Sequence, residues 1–171
     1  MPAIFKSVFM FALFLLACAC NSPEGGNELA ELNLVKQSRE GLVVKIVDGD
    51  TYDLIRNGVQ TRVRMEGIDA PERGMDYYKV SKDYLGSLCM NKKIRLQVSK
   101  KDRYGRLIAK SYLPDGRELG EEMVRAGMAW HFKRYSNDAK LARLEREARS
   151  ARRGLWSAAN PTAPWEYRKR K

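Results

Sequence analysis

The segment Val47–Glu72 constrains the fold of this chain more than any other part of its sequence. Two runs of alternating hydrophobic and polar residues, Tyr52–Arg56 and Val59–Met65, flank the dipeptide Asn57-Gly58. This dipeptide strongly favours a two-residue hairpin turn, so the two runs are expected to form neighbouring antiparallel strands. Acidic residues precede the first strand and follow the second. The segment therefore predicts a β-hairpin that could bring these carboxylates together.

Four charged side chains of this segment suit phosphate chemistry. Asp50 and Asp69 offer the hard oxygen ligands that Ca²⁺ and Mg²⁺ prefer, and Glu72 could act as a base toward a nearby water. Arg64 supplies a planar, permanently charged fork for phosphate oxygens. Phosphodiester hydrolysis needs these parts together, because cations must hold the phosphoryl oxygens while another group orients or deprotonates the water. The segment Lys101–Arg106 adds further cations and a phenol.

Each of these parts also has an ordinary structural interpretation. Asp-Gly is a turn signal, so Asp48–Asp50 alone predicts a loop. Pro71 restricts the residue before it and ends strands, while Glu72 could cap a helix. Arg64 could be a solvated strand residue, although the alternation places it opposite its apolar neighbours, where a charge needs a partner or a ligand. Taken singly, the motifs leave both interpretations open.

The hydrophobic pattern is first that of strands and later that of helices. The predicted strands are Leu42–Val47, Tyr52–Arg56, Val59–Met65, Ile94–Val98 and Arg106–Leu113. The predicted helices are Tyr77–Cys89, Leu119–Ala126 and Asp138–Arg153. The last helix places Leu141, Leu144 and Ala148 on one face, which is expected to pack on the barrel, and a row of arginines on the other. That row is either a solvated helix face or a non-specific contact to a polyanion.

The composition indicates a polyanionic partner. The chain has 171 residues, enough for one domain with appendages, and its 32 Lys and Arg against 21 Asp and Glu give a formal charge of +11. A merely basic protein, or one attracted to anionic lipid, is the alternative. The basic tail beginning at Arg168 is expected to be disordered and to add salt-dependent attraction to nucleic acid.

The N-terminal residues predict export. Residues 1–20 contain a short apolar run that is too short to span a membrane and reads as an export signal. Leu15-Leu16-Ala17-Cys18 resembles a bacterial lipobox, in which Cys18 would carry lipid, and simple cleavage after Ala19 is the alternative. The exported protein would then be a membrane-anchored lipoprotein, or periplasmic or secreted. Residues 21–40 are expected to form a tether, and Cys89 is expected to be a small hydrophobic residue of the core.

Taken together and in order, these motifs resemble the staphylococcal nuclease, or thermonuclease, family over residues 41–168. The matching motifs are Asp48–Thr51, Arg64, Gly67–Glu72, Tyr104–Arg106, Gly154–Trp156 and Pro164–Arg168. The resemblance implies an α+β fold built on a five-stranded OB-type β-barrel with three helices. Residues 169–171, which follow the matching region, form the end of the basic tail. It also implies Ca²⁺-dependent hydrolysis of DNA and RNA by in-line attack of water, leaving 3′-phosphates.

The resemblance also implies a role for individual residues. The implied metal ligands are Asp50, Asp69 and the backbone carbonyl of Ala70. The implied catalytic residues are Arg64 and Arg106, which hold the scissile phosphate, and Glu72, which acts as general base or positions the water. The implied substrate contacts are Arg103, Tyr104 and Tyr135. Lys133 stands about where a second tyrosine of the nucleotide pocket is expected, so one aromatic contact to the base is missing or displaced.

Two other functions remain open from the sequence. A non-catalytic OB-fold module would bind single strands through its basic groove, Tyr104 and Tyr135. A surface adhesin would bind acidic polymers, and its binding would survive chelation. All five charged positions of the implied site are present, which favours an enzyme. The protein is expected to be a monomer. Substitution of Arg64 or Glu72 is then expected to lower turnover with little loss of stability.

Overall fold

The structure is a computed structural model that describes residues 39–170. The predicted export signal and almost all of the predicted tether lie outside these residues. Strands occupy Glu40–Ile46 (β1), Thr51–Arg56 (β2), Val59–Met65 (β3), Ile68–Asp69 (β4), Lys93–Lys101 (β5), Leu107–Tyr112 (β6) and Trp130–His131 (β7). Helices occupy Tyr78–Cys89 (α1), Leu119–Arg125 (α2), Ala139–Ser150 (α3) and Pro164–Lys169 (α4), with a 3₁₀ turn at Gly154–Ser157. None of the helices among residues 39–170 is both long and apolar enough to span a membrane.

Five strands close into a barrel in the order β1-β2-β3-β6-β5. The neighbours pair antiparallel except β3 and β6, which run parallel. The β2–β3 hairpin turns at Asn57 and Gly58, whose positive φ angles of 49° and 74° fit the predicted turn. The predicted fold class, an α+β protein on a five-stranded OB-type barrel, is confirmed.

The barrel encloses the main hydrophobic core, and the first three helices cover it. The core contains side chains from most barrel strands, among them Val43, Leu54, Val63 and Leu96. Cys89 lies fully buried in it, as predicted. The face of α3 that carries Leu141 and its apolar neighbours is buried as predicted, and Asp138 caps this helix by accepting hydrogen bonds from two backbone N–H groups.

A second core cluster lies beside the barrel and consists mainly of aromatic residues. Its buried members are Trp130, Ala148, Leu155, Trp156 and Ala163, with Tyr77 and Trp165 packed against them. The indole rings of Trp130 and Trp156 meet edge to face at 4.3 Å, and those of Trp130 and Trp165 at 5.4 Å. This cluster joins β7, α3 and the C-terminal residues.

The C-terminal residues differ from the prediction. The sequence predicts disorder from Arg168 onward, whereas α4 continues through Lys169, so that prediction is wrong for the helical residues. The helix begins at Pro164, whose fixed φ angle suits the first helical position. Its stability comes from tertiary packing, because Trp165 stacks on Phe132 at 5.2 Å with the two rings within 5° of parallel.

Candidate active site

The nine residues that the resemblance implies converge on one cleft of about 800 Å³ at the side of the barrel. Eight of them line it directly: Asp50, Arg64, Ala70, Glu72, Arg103, Tyr104, Arg106 and Tyr135. Asp69 is buried behind this lining and contacts it through Arg64. The structure thus brings the implied residues together, while their individual roles stay predictions.

Strand pairing brings Asp50 next to Arg64. Thr51 opens β2 and pairs in register with Arg64 on β3, so the residue before Thr51 lies beside the Arg64 side chain. The Asp50 carboxylate accepts hydrogen bonds from the Thr51 hydroxyl at 2.8 Å and from the Ala70 backbone N–H at 2.8 Å. Burial pushes the pKa of Asp50 upward, but the Arg64 guanidinium and these hydrogen bonds more than reverse the effect. The pKa of Asp50 therefore lies below its ordinary value.

Arg64 joins the two candidate metal ligands. Its Nη1 atom forms an ion pair with Asp50 Oδ2, and its Nη2 atom donates to Asp69 Oδ1 at 2.8 Å. Only 14% of the side chain is exposed. Burial alone would lower the pKa of Arg64, but the two carboxylates raise it above its ordinary value. The cation is held between two acids with one edge toward the cleft.

Asp69 is held by a second guanidinium from the far end of the chain. The short β4–β7 ladder fixes its backbone opposite Trp130. Arg168, from α4, donates to Asp69 Oδ2 at 2.7 Å and to Asp69 Oδ1 at 3.2 Å. Burial raises the pKa of Asp69, and the guanidiniums of Arg168 and Arg64 offset part of that rise. Arg168 Nη1 also donates to Glu72 Oε1 at 2.5 Å.

A third carboxyl, that of the partly buried Asp48, lies beside this pair. Its Oδ1 atom accepts a hydrogen bond from the Asp50 backbone N–H at 3.1 Å, which shapes the turn before β2. Burial, together with the charge of Asp50, raises the pKa of Asp48 to about 7. Asp48 also lines the cleft.

The loop between β5 and β6 supplies the cationic wall of the cleft. Arg106 is oriented by Asp102, which accepts from the Arg106 backbone N–H at 2.9 Å and from its Nε atom at 2.8 Å. Its terminal amino groups stay available to a phosphate. Arg103 donates to the Tyr104 hydroxyl at 2.6 Å, and the Tyr104 side chain is 69% exposed.

The aromatic rings of Phe132 and Tyr135 also line the cleft. Tyr135 is 65% exposed and meets Phe132 edge to face at 4.8 Å. Lys133 points away, because its Nζ atom forms an ion pair with Glu145 at 3.1 Å. Phe132 therefore provides the second aromatic ring of the cleft, whereas the sequence comparison expects that ring at position 133.

The donor set fits a hard divalent cation. Asp50 and Asp69 face a common guanidinium, so their carboxylates already lie in one place, and the partly buried Asp48 offers a further carboxyl that would lose its proton more readily beside a cation. Within residues 39–170 no cluster of three or more acidic, His or Cys side chains has the geometry of a metal site. A cation would thus take two carboxylates and the Ala70 carbonyl from the protein, and Ca²⁺, with six to eight oxygen ligands, would need water and phosphate oxygens as well.

Three residues at the site were missed from the sequence. The sequence predicts only a turn for Asp48, although its place beside Asp50 is a usable signal. Phe132 follows the short strand β7, and nothing local distinguishes it from a core aromatic. Arg168 lies 99 residues from Asp69 along the chain and sits in a basic run that resembles a tail.

Comparison with known proteins supports the same interpretation. The family model described as staphylococcal nuclease homologue matches residues 62–158. An uncharacterized endonuclease of Escherichia coli is 43% identical over 131 residues, covering 77% of this chain and 86% of that protein. A micrococcal nuclease of Shigella flexneri is 37% identical over 139 residues, covering 75% of this chain and 80% of its own length. A staphylococcal-like nuclease of Arabidopsis thaliana is 43% identical over 110 residues, which are 64% of this chain and 34% of that protein. The barrel, the cleft and these matches together show that the chain belongs to the staphylococcal nuclease family.

Proposed function

We propose that this chain is a Ca²⁺-dependent endonuclease that hydrolyses DNA and RNA and leaves 3′-phosphates. Family membership and the names of its relatives support nuclease activity. One observation carries the proposal further: Arg64 joins the buried carboxylates of Asp50 and Asp69 at the edge of a cleft that also holds Arg106 and Glu72. A phosphodiester in this cleft would meet fixed cations and a carboxylate at once.

In this mechanism the protein binds the scissile phosphate and directs the attacking water. Asp50, Asp69 and the Ala70 carbonyl would hold Ca²⁺, which when bound supplies positive charge to a phosphate oxygen. Arg64 and Arg106 hold the phosphoryl oxygens and stabilise the charge that develops on them. Glu72 orients the water and accepts its proton. The water oxygen bonds to phosphorus as the bond to the 5′-oxygen breaks. The leaving oxygen takes a proton from solvent water, so the products are a 3′-phosphate and a 5′-hydroxyl.

The rim of the cleft suits the nucleosides on either side of that phosphate. Tyr104 and Tyr135 are both largely exposed on its walls, where bases could stack on their rings. These rings also support the second candidate, a non-catalytic module that binds single strands. The two candidates differ in whether the bound strand is cut.

The deciding experiment is an incubation of the purified protein with end-labelled DNA and RNA, with Ca²⁺ or with a chelator. We expect cleavage that requires Ca²⁺ and products that end in a 3′-phosphate. Binding without cleavage in the presence of Ca²⁺ would instead support the single-strand-binding module. Cleavage that persists in the chelator would contradict the proposed role of the metal.

We also propose, from the sequence, that the protein is exported as a monomer and anchored through lipid on Cys18. Labelled palmitate should be incorporated into the protein in a bacterial host, and Cys18→Ser should abolish incorporation. Equal labelling of both proteins would place the lipid elsewhere, and no labelling of either would leave simple cleavage as the route.

A further inference from the structure

Arg168 connects the C-terminal helix to two residues of the proposed active site. Its guanidinium donates to both carboxylate oxygens of Asp69 and to Glu72 Oε1, at 3.2, 2.7 and 2.5 Å. It therefore spans the proposed metal ligand and the proposed base with one rigid group. Arg168 lies beyond residue 158, where the match to the family model ends.

Several contacts fix the backbone that carries this guanidinium. Ala163 and Pro164 are buried at the start of α4, and Trp165 stacks on Phe132. The Tyr167 hydroxyl donates to the Arg73 carbonyl at 3.4 Å. A Cβ added at Gly74 would lie 2.7 Å from the Tyr167 hydroxyl oxygen, so the two segments approach closely.

Glu72 needs this contact more than the buried acids do. Its side chain is 40% exposed and lies on the loop that follows β4, so packing restricts its rotamers less than those of the buried acids. Within residues 39–170 the Glu72 carboxylate makes one ion pair, and its partner is Arg168. A catalytic group must be held within about 0.5 Å of its productive position by neighbours that are themselves fixed.

We propose that Arg168 is a positioning residue, which holds the Glu72 carboxylate at a set place relative to Asp69. The inference rests on the proposed nuclease function and adds a residue to it. Arg168 lies in the lining of the cleft, and its proposed role is through Glu72 and Asp69 rather than as a contact to the scissile phosphate. Its loss should therefore lower kcat, leave KM nearly unchanged, and not weaken the binding of Ca²⁺, since Asp50, Asp69 and Ala70 all remain and the Asp69 oxygens lose a competing guanidinium.

The test compares Arg168→Gln with Lys169→Gln, which removes the same charge from the next residue of the same helix. Three quantities are measured for each protein: kcat and KM at saturating Ca²⁺, the Kd for Ca²⁺ by calorimetry without substrate, and the Tm. For Arg168→Gln we expect kcat to fall about tenfold to 100-fold, as for other residues that orient a catalytic group. We expect its KM and its Kd for Ca²⁺ to rise by less than about threefold. Lys169→Gln should change kcat by less than about twofold.

The variant Arg168→Lys provides a second test if Arg168→Gln is unstable. An ammonium keeps the charge but cannot span three carboxylate oxygens in fixed geometry. The kcat of Arg168→Lys should therefore lie between those of Arg168→Gln and Lys169→Gln, and its Tm should be unchanged. Wild-type kcat in Arg168→Lys would overturn the inference.

Other outcomes separate the remaining explanations. A kcat unchanged in Arg168→Gln, while the unmodified protein cleaves DNA, would overturn the inference and leave the proposed function intact. A large rise in KM with kcat unchanged would make Arg168 a substrate contact instead. A parallel fall in Tm and in Ca²⁺ affinity would reduce its role to stability. An unmodified protein that binds Ca²⁺ but does not cleave would overturn the nuclease proposal and the inference with it.

Discussion

At the scale of single residues, the centre of the cleft is a balance between buried acids and two guanidiniums. Arg64 interacts with all three acids, Asp48, Asp50 and Asp69, and Arg168 on α4 forms an ion pair with Asp69. The pKa of Asp50 is lowered while those of Asp48 and Asp69 are raised. The reason is that the guanidiniums outweigh the effect of burial at Asp50 but not at the other two acids. Such unequal environments are typical of functional sites.

The burial of Arg64 changes what its removal should do. The sequence predicts little loss of stability for Arg64→Ala, but the structure shows that the variant would leave Asp50 and Asp69 short of a partner inside the protein. We now expect the free energy of unfolding to fall by about 3 kcal/mol in urea titrations. Arg143→Ala is the control, because Arg143 and Glu147 form an exposed pair on α3 and its loss should cost less than about 1 kcal/mol. Equal losses would show that the Arg64 pairs contribute no more than a surface pair does.

Glu72→Gln tests the proposed base with little change in shape. Because Gln cannot accept the proton of the attacking water, kcat should fall by at least about 100-fold. The Tm should stay close to that of the unmodified protein, since the side chain is partly exposed. Glu66→Gln removes a carboxylate from the same cleft, where Glu66 accepts from the Ser99 hydroxyl at 2.6 Å, and should retain most of the activity. Comparable kcat values for the two variants would remove Glu72 from the mechanism.

His131 gives the stability of the protein a pH dependence. Burial lowers the pKa of His131 from its ordinary value of 6.5, more than the Glu145 carboxylate raises it. As the pH falls through 6.5, the unfolded chain takes up a proton that the folded chain does not, so this residue makes stability fall. His131→Gln lacks the effect. The difference in unfolding free energy between the unmodified protein and this variant should therefore shrink from about pH 7.5 to about pH 5.5. A constant difference would mean that the folded protein binds the proton equally well.

At the scale of secondary structure, α4 is a short helix with a large effect on its surroundings. Trp165 packs against Trp130 and stacks on Phe132, which itself meets Tyr135 in the cleft. Trp165→Ala should lower the free energy of unfolding by about 2 kcal/mol, less than for a fully buried aromatic because the side chain is partly exposed. Trp165→Phe keeps a ring in place and should lose less than half as much in the same denaturation experiment. Equal stability of Trp165→Ala and the unmodified protein would mean that α4 does not depend on this stacking.

The elements that the sequence revealed are those with their own local signals. The five barrel strands and α1 to α3 were placed within a few residues, because hydrophobic alternation, helix caps and Asn57-Gly58 are readable along the chain. The two-residue strands β4 and β7 were not, since each exists only because the other lies beside it. Helix α4 has six residues and no side-chain cap, and Pro164 at its first position was too weak a local signal to predict it. Arg168 could not be predicted as a site residue, because the helix that carries it was not predicted. The residues near Asp50 and Asp69 could be found, because their motifs lie in one segment.

At the scale of the whole molecule, the excess of positive charge should act on the encounter with nucleic acid. The formal charge is +11, and three of the cations that contribute to it, Lys100, Arg103 and Arg106, line the cleft. Phosphate contacts release counterions, so KM for long duplex DNA should rise at least about tenfold between about 50 and about 200 mM NaCl, with kcat nearly constant. A dinucleotide substrate, which offers few phosphates, should show a much smaller change. Equal salt dependence for the two substrates would argue that contacts outside the scissile phosphate contribute little.

The aromatic cluster under α4 has one more consequence. The chain contains three tryptophans, Trp130, Trp156 and Trp165, and all of them lie in that cluster. The Arg149 guanidinium lies over the rings of Trp130 and Trp156 at 4.9 and 4.0 Å. Indole emission responds to water and to nearby charge, so the tryptophan fluorescence of the unlabelled protein comes entirely from the junction of α4 with the domain. The molecule thus carries its own optical probe of whether the helix that bears Arg168 is docked.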